Sequence, residues 1–366
     1  MQLAPARSVH IARAPERAPL VLTWRSMMPS YALAALLTCL VALIAIGWGT
    51  VRISPLTTLA ILVDHLPFVS TGEHAATYDA IVWQVRAPRV VLAGMVGATL
   101  ALSGAAYQGI FRNPLAEPYL LGVAAGASLG ATLIIVSPLF ITAGLLSPLP
   151  PAAFAGALIA VGLAYTLART GPVVPATSLI LAGVAVSSVG TSLVTYLMLE
   201  YNTRTLAILN WILGGFNTAS WIDAGIALPY MLVAAVVILP YARILNVMQL
   251  EEDQARQLGV DTERVKLIIL GVASLATAAA VAVSGLIGFV GLVVPHAVRM
   301  MYGPDYRRVL PLSAFFGASF LILADLIART IDPTFEVPIG VITALVGAPF
   351  FLFLLRRQQR YGGARI

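Results

Sequence analysis

The sequence predicts an all-α polytopic membrane protein with ten transmembrane helices, and three observations carry that prediction. Apolar residues make up 59% of the 366 positions and charged residues only 10%, against roughly 25% charged in ordinary soluble domains. Uncharged runs near the ~20 residues that cross the hydrocarbon as a helix recur along the whole chain. Segments that alternate polar and apolar residues, the mark of a membrane barrel, do not occur.

The elements follow in order. Residues 1–27 hold four arginines and one acid and read as a disordered cytoplasmic N-terminal tail. The next run, 30–50, exceeds the roughly 7–15 residues of a cleaved signal's apolar core and lacks a small-residue exit, so it reads as a retained first span. Further spans are predicted at 88–109, 119–139, 150–169, 177–199, 224–243, 266–284, 286–301, 309–328 and 338–355. Residues 267–295 contain no charge, and as one helix they would run to about 43 Å, too long for one ordinary crossing. A turn at Ser284-Gly285 divides them into two spans.

Charge bias favours that division. With ten spans and the N-terminus inside, 17 of the 22 basic residues face the cytoplasm and five face out; merging spans seven and eight gives 11 against 11. The positive-inside rule selects ten spans with both termini cytoplasmic. The membrane domain then covers 28–357, and 358–366 form a cytoplasmic C-terminal tail. The net charge of +6 reflects arginines at the membrane surface, with no nucleic-acid partner. The single cysteine, Cys39, cannot form an internal disulfide.

Small residues mark where helices can approach closely: Gly94, Gly97, Ala98, Ala101 and Gly104 in span two, Gly122, Gly126 and Gly130 in span three, and Gly285, Gly288 and Gly291 near span eight. A faint internal echo, "ALSG" (101–104) and "AVSG" (282–285) with Pro114 and Pro295 at the same offset, hints at an inverted repeat.

Several chemistries are excluded. A P-loop needs a Gly-Lys-Ser/Thr sequence, but the only lysine is Lys266, which follows Val265. His10, His65, His74 and His296 are scattered, so no metal site or embedded hydrolase is expected. Asp325 and Arg329 stand four apart near the outer end of span nine and can pair along one helix face. A proton relay would place such groups at the membrane centre. Glu117 reads as a turn or interface residue and His296 as a structural hydrogen-bonding group.

The densest charge lies at 247–266, "VMQLEEDQARQLGVDTERVK", with eight charged residues in twenty. On the ten-span topology it is the cytoplasmic connection between spans six and seven. Val247, Leu250, Ala255 and Leu258 can form an apolar stripe on a short helix. Gly259 suits a C-terminal cap, and Asp261 can cap a second short helix leading into span seven. A solvated loop is the plainer reading; a capped amphipathic pair fits docking of a soluble partner.

Here a resemblance becomes specific. "EEDQARQLGV" (251–260) resembles the cytoplasmic coupling motif of bacterial ABC importer permeases. "QVRAPRVV" (84–91), "LSGAAYQGIFRNPLAEPYLLGVAAGASLG" (102–130), "LILAGVAVSS" (179–188), "SGLIGFVGLVVPHAVRM" (284–300) and "ADLIARTIDPTFEVPIGVITALVGAPFFLFLL" (324–355) resemble the ten-helix FecCD permease family for iron chelates, haem and vitamin B12. The likeness covers about 30–357. "LNWILGGFNTASW" (209–221) fits a short outer helix whose wording is nearest the vitamin B12 members of the family; Trp211 and Trp221 could equally be interface anchors.

The resemblance implies a type II ABC importer permease fold, working as a homodimer in lipid with two ATPase subunits and an extracytoplasmic binding protein. The chain itself would be no enzyme and bind no cofactor, ATP and Mg being held by the partner ATPase. Glu251, Glu252, Arg256, Leu258 and Gly259 are implied to couple to that ATPase. Arg86, Arg89 and Arg329 are implied to receive glutamates of the binding protein, with headgroup pairing as the other explanation. Ala176, Thr177 and Ser178 match the inner gate region, and helices five and ten are implied to line the pathway. The expected location is a bacterial or archaeal cytoplasmic membrane. An ion-coupled secondary transporter is the rival class and would depend on a buried ionisable group such as Asp325.

Overall fold

The computed structural model describes residues 24–49, 51–65, 72, 75–138, 147–171, 174–332 and 334–361. The predicted tail at 1–27 lies outside the described residues up to position 23, as do 362–366 of the predicted tail at 358–366. Among the described residues the protein is helical and contains no strand. Its principal helices are α1 (Trp24–Gly47), α2 (Pro55–Asp64), α3 (Ala76–Asp79), α4 (Ala87–Phe111), α5 (Val123–Val136), α6 (Leu149–Ala168) and α7 (Ala176–Glu200). They continue as α8 (Thr205–Ile212), α9 (Trp221–Ile238), α10 (Ala242–Val247), α11 (Glu252–Gln257), α12 (Thr262–Ser284), α13 (Val290–Tyr302), α14 (Tyr306–Ala328) and α15 (Ile339–Tyr361).

Every predicted span has a helix over it. Seven segments among the described residues are long and apolar enough to cross a membrane, and Pro55–Asp64, Val123–Val136 and Ile339–Leu354 are shorter apolar helices. The protein is a multi-pass membrane protein. α15 runs to Tyr361, four residues into the stretch expected to be tail.

α4 is the centre of the bundle: 83% of its most apolar window is buried, against 22% for α7. α1, α12, α13 and α14 pack around α4, and paired glycines set how closely they come. A Cβ at Gly97 would collide with the Gly317 carbonyl on α14, and one at Gly317 with the Gly97 carbonyl. Gly126 of α5 and Gly156 of α6 exclude each other's Cβ in the same way, while a Cβ at Gly104 would collide with the Gly291 carbonyl of α13 and one at Gly291 with the Leu100 carbonyl. Where lipid tails provide no hydrophobic drive between helices, such backbone approach supplies the packing. Gly288 differs from expectation, since nothing lies within 4 Å of its Cβ position.

The expected turn at Ser284-Gly285 is present. α12 ends at Ser284, Gly285 takes φ +68°, and α13 begins only at Val290. Non-helical backbone at membrane depth must find partners within the protein, and here it does. Gly215 N–H donates to the Ser284 carbonyl (2.8 Å), Gly340 N–H to Leu213 (3.1 Å), and the Tyr119 hydroxyl to Ile287 (3.0 Å). The expected short helix after span five is α8; residues 209–212 form its end, and the turn that follows is tucked against this break, with Phe216 buried. The internal echo falls on unlike local structure: 101–104 are mid-helix in α4, while 282–285 end α12.

Gly97→Val should overpack the α4–α14 crossing and cost about 1–3 kcal/mol, read as a lower unfolding temperature in detergent. Gly288→Ala, with open space around it, should leave that temperature unchanged.

Candidate functional site: the polar elbow and the outer arginines

The segment between α9 and α12 folds as a capped elbow. α10 is anchored at its end, where Asn246 donates to Asp305 (2.7 Å) and accepts from the Tyr306 N–H (2.8 Å). The Gln249 amide donates to the Gly109 carbonyl at the end of α4 (3.1 Å). α11 ends in a Schellman motif: Gly259, at φ +81°, donates to the Arg256 carbonyl (2.9 Å), and Val260 donates to Ala255 (3.1 Å). Glycine is required there because the left-handed backbone penalises a Cβ. Asp261 caps α12 by accepting from the Arg264 N–H (3.0 Å). Both caps fall where the sequence places them.

The apolar stripe is corrected. Val247 and Leu250 belong to α10 and the following turn, not to the helix carrying Ala255, so the four residues never share one face. Ala255 alone is fully buried, while Leu250 and Leu258 are exposed, Leu258 by 64%. Glu251 and Arg256 stand exposed beside Leu258. The result is a solvent-facing surface with an apolar tip and both signs of charge.

Glu252 is half-buried and is the hub of this surface. Its Oε1 accepts from Arg256 (2.9 Å), Thr262 (3.1 Å) and Lys266 (3.4 Å). Burial works to raise its carboxyl, but Lys266, Thr262 and Arg256 outweigh that and hold it below the usual carboxylate range. Lys266 also donates to Glu263 (2.8 Å). The elbow read from the sequence, 247–266, includes Thr262, Glu263 and Lys266 but gives them no role of their own, although an i,i+3 acid–lysine spacing in 263–266 marks the pair.

Ala176, Thr177 and Ser178 form the first turn of α7 after Pro175, with Thr177 exposed. Higher on α7, Ser187, Ser188, Thr191, Ser192 and Thr195 line an open groove of about 770 Å³ with Tyr119. Ser188, Ser192 and Thr195 each donate to a carbonyl one turn back on their own helix.

At the other end of the molecule Arg86, Arg89 and Arg329 converge. A π-helical turn at Ala80–Arg86 precedes α4 and carries Arg86. Arg86 donates to the Ile46, Gly47 and Val51 carbonyls at 2.7–3.1 Å and is only 6% exposed. Arg89 reaches Asp325 (2.9 Å) and holds Glu336 bidentately (3.0 Å for both bonds). Arg329 donates to the Ala45 and Trp48 carbonyls and pairs with Asp325 (3.4 Å). The pairing of Asp325 with Arg329 is as expected, but within the subunit these arginines point inward, not into open solvent. Glu336 is the cluster's solvent-accessible carboxylate, with a side chain 41% exposed. It was missed in the sequence, although an isolated acid between Pro333 and Pro338 is a legible signal. His296 also differs: its contact is edge-on to Phe350, with ring centroids 6.4 Å apart, in place of a hydrogen bond.

Arg89→Met should destabilise the fold by less than the ~3–5 kcal/mol of a fully stranded buried charge, because Asp325 keeps Arg329 and Glu336 is open to solvent. Thermal unfolding in detergent reads this, and an unchanged midpoint would mean the pairing contributes nothing. Because the Glu252 value is depressed, its contribution is fully present above the ordinary glutamate value near ~4.3 and is lost as pH falls through the lower folded value. Protection against hydrogen exchange over 252–266, taken relative to the intrinsic rate at each pH, should therefore fall below about pH 4 while protection in α4 is retained.

The chain has known relatives. The FecCD transport family model matches residues 36–357. The cobalamin import system permease protein of Halobacterium salinarum is 46% identical over 283 residues, covering 77% of this chain and 75% of that one. The hemin transport system permease protein of Yersinia pestis is 41% identical over 301 residues, covering 78% and 87%. Among solved structures, a metal-chelate type ABC transporter in an inward-facing conformation matches at TM-score 0.77 and 30% identity, over 90% of this chain and 99% of that one. Matched by the family model over most of its length and by relatives above 40% identity, the chain belongs to the FecCD transport family.

Proposed function

We propose that this chain is the pathway-forming permease subunit of a type II ABC importer for a metal chelate: cobalamin, haem or an iron–siderophore. It works as a homodimer in the cytoplasmic membrane with both termini inside, crossing it ten times. Two ATPase subunits hold ATP and Mg and bind the elbow on Glu251, Arg256, Leu258 and Gly259, with Glu252 keeping that surface in shape. The capped, solvent-facing elbow is the observation that carries this reading. An apolar tip exposed by 64% between charged residues is a shape for docking a soluble partner, and Glu252 keeps it rigid.

The second support is α7. Its groove is rich in hydroxyls, and polar groups are poorly accommodated against lipid. A second copy facing this groove would enclose a wet pathway, with Ala176, Thr177 and Ser178 at its inner mouth. On the outer side, a binding protein's carboxylates would reach Arg89 by exchanging with Glu336, the accessible member of the cluster. Arg86 and Arg329, held by carbonyls, supply positive field and shape.

An ion-coupled secondary transporter is the weaker reading. Asp325 lies near the outer end of α14 and is closed in by two guanidiniums, poor placement for a carrier of protons through the membrane.

Uptake in proteoliposomes should need ATP and a hydrolysis-competent ATPase and should survive an uncoupler. The reverse pattern would mean ion coupling. Replacing Glu251, Glu252 and Arg256 together by alanine should abolish ATP-driven uptake while leaving a folded bundle; undiminished uptake and ATPase co-purification would remove the elbow from the coupling role.

A further inference from the structure

The polar elbow and the start of α7 are separate in sequence, yet one side chain joins them. Glu263, in the first turn of α12, accepts the Val174 N–H on Oε2 (3.3 Å) and the Lys266 ammonium on Oε1 (2.8 Å). Lys266 reaches on to Glu252 of α11 (3.4 Å). A continuous line of polar contacts therefore runs from α11, through Lys266 and Glu263, to the backbone just before α7.

The far end of this line is stiff. Val174 precedes Pro175, the N-cap of α7, and proline both fixes its own φ and restricts the residue before it. A displacement of the Val174 amide is thus passed into the first turn of α7 instead of being absorbed by a soft dihedral. Little slack exists beside it. Val174, Ala176, Leu179, Glu263, Lys266 and Leu270 surround a cavity of only about 50 Å³, room for a water or two at ~30 Å³ each. The near end is equally firm, since Val265 and Ile269 anchor the base of α12 in the core. The pair is also sheltered, with side chains 22% and 25% exposed, so salt screens it less than a surface pair.

We propose that Glu263, oriented by Lys266, is a positioning residue that ties the elbow to the inner end of α7, so that the two move as one body. This rests on the assignment of the elbow as the ATPase contact and of Ala176–Ser178 as the inner gate. Glu263 touches neither cargo nor nucleotide; it sets how much of the elbow's movement reaches the gate.

The test uses the assembled complex of permease and ATPase in proteoliposomes, measuring chelate imported per ATP hydrolysed. Glu263→Ala should retain ATPase binding and hydrolysis while import per ATP falls about tenfold. Glu263→Gln, which keeps an acceptor for Val174 but loses the charge, should fall between alanine and the native protein. A Val174→Cys, Glu263→Cys pair in a Cys39→Ser background supplies the decisive arm, because both states occur in the same folded protein. It should be uncoupled when reduced and recover when joined by a short bifunctional thiol reagent. Native import per ATP in Glu263→Ala or in the reduced pair, or no recovery on cross-linking, would overturn the tie. Failure of the native chain to bind the ATPase or to need ATP would instead overturn the functional assignment beneath it.

Discussion

A single carboxylate, Glu252, holds the polar end of this molecule in one shape. Arg256, Thr262 and Lys266 all donate to it within 3.4 Å, and each comes from a different turn of chain. A six-residue helix such as α11 has no stability of its own, since isolated helices shorter than about 12–15 residues are marginal in water. Its ends must be closed by other means. The Schellman turn at Gly259 satisfies the C-terminal carbonyls, Asp261 satisfies the donors of the next helix, and Glu252 locks the angle between the two. The elbow is therefore a rigid shape facing solvent, not a solvated loop.

The same logic governs the outer end with different chemistry. Arg86, Arg89 and Arg329 are taken out of solvent, and a buried charge persists only when paired or fully hydrogen-bonded. Two carboxylates and five backbone carbonyls meet that demand. The carbonyls come from residues 45–48 and 51, so the cluster also clamps the end of α1 to α4 and α14. An outer cluster that both clamps and exposes one exchangeable carboxylate can change shape when a partner's acid competes for Arg89. Between the two ends the glycine-lined crossings of α4 with α13 and α14 leave little compliance, which favours movement of helices as bodies.

Most of the helical layout was legible because its signals are local. Apolar runs of crossing length, the glycine after Leu258 and the aspartate before Thr262 each act within a few residues. So does the Ser284-Gly285 break, which the charge count independently required. What escaped the sequence was long-range pairing. Glu336 meets Arg89 across 247 positions and Val174 meets Glu263 across 89, separations at which one sequence carries no periodicity. The apolar stripe was misread for a related reason: a 3.6-residue pattern was extended through residues 248–251, where the chain turns and the periodicity resets. The inward posture of the arginines was equally invisible, because exposure depends on what the remote residues 45–48 and 51 place around them.

The account depends on the elbow and the inner end of α7 moving together under nucleotide. Spin labels at Asp253 and Thr177 measure this directly in the assembled transporter, by pulsed electron paramagnetic resonance with and without ATP. The account predicts that the distance from 253 to 177 within one subunit stays fixed while the distance between the two Thr177 positions of the dimer changes. A lengthening of the first distance as the second changes would contradict it.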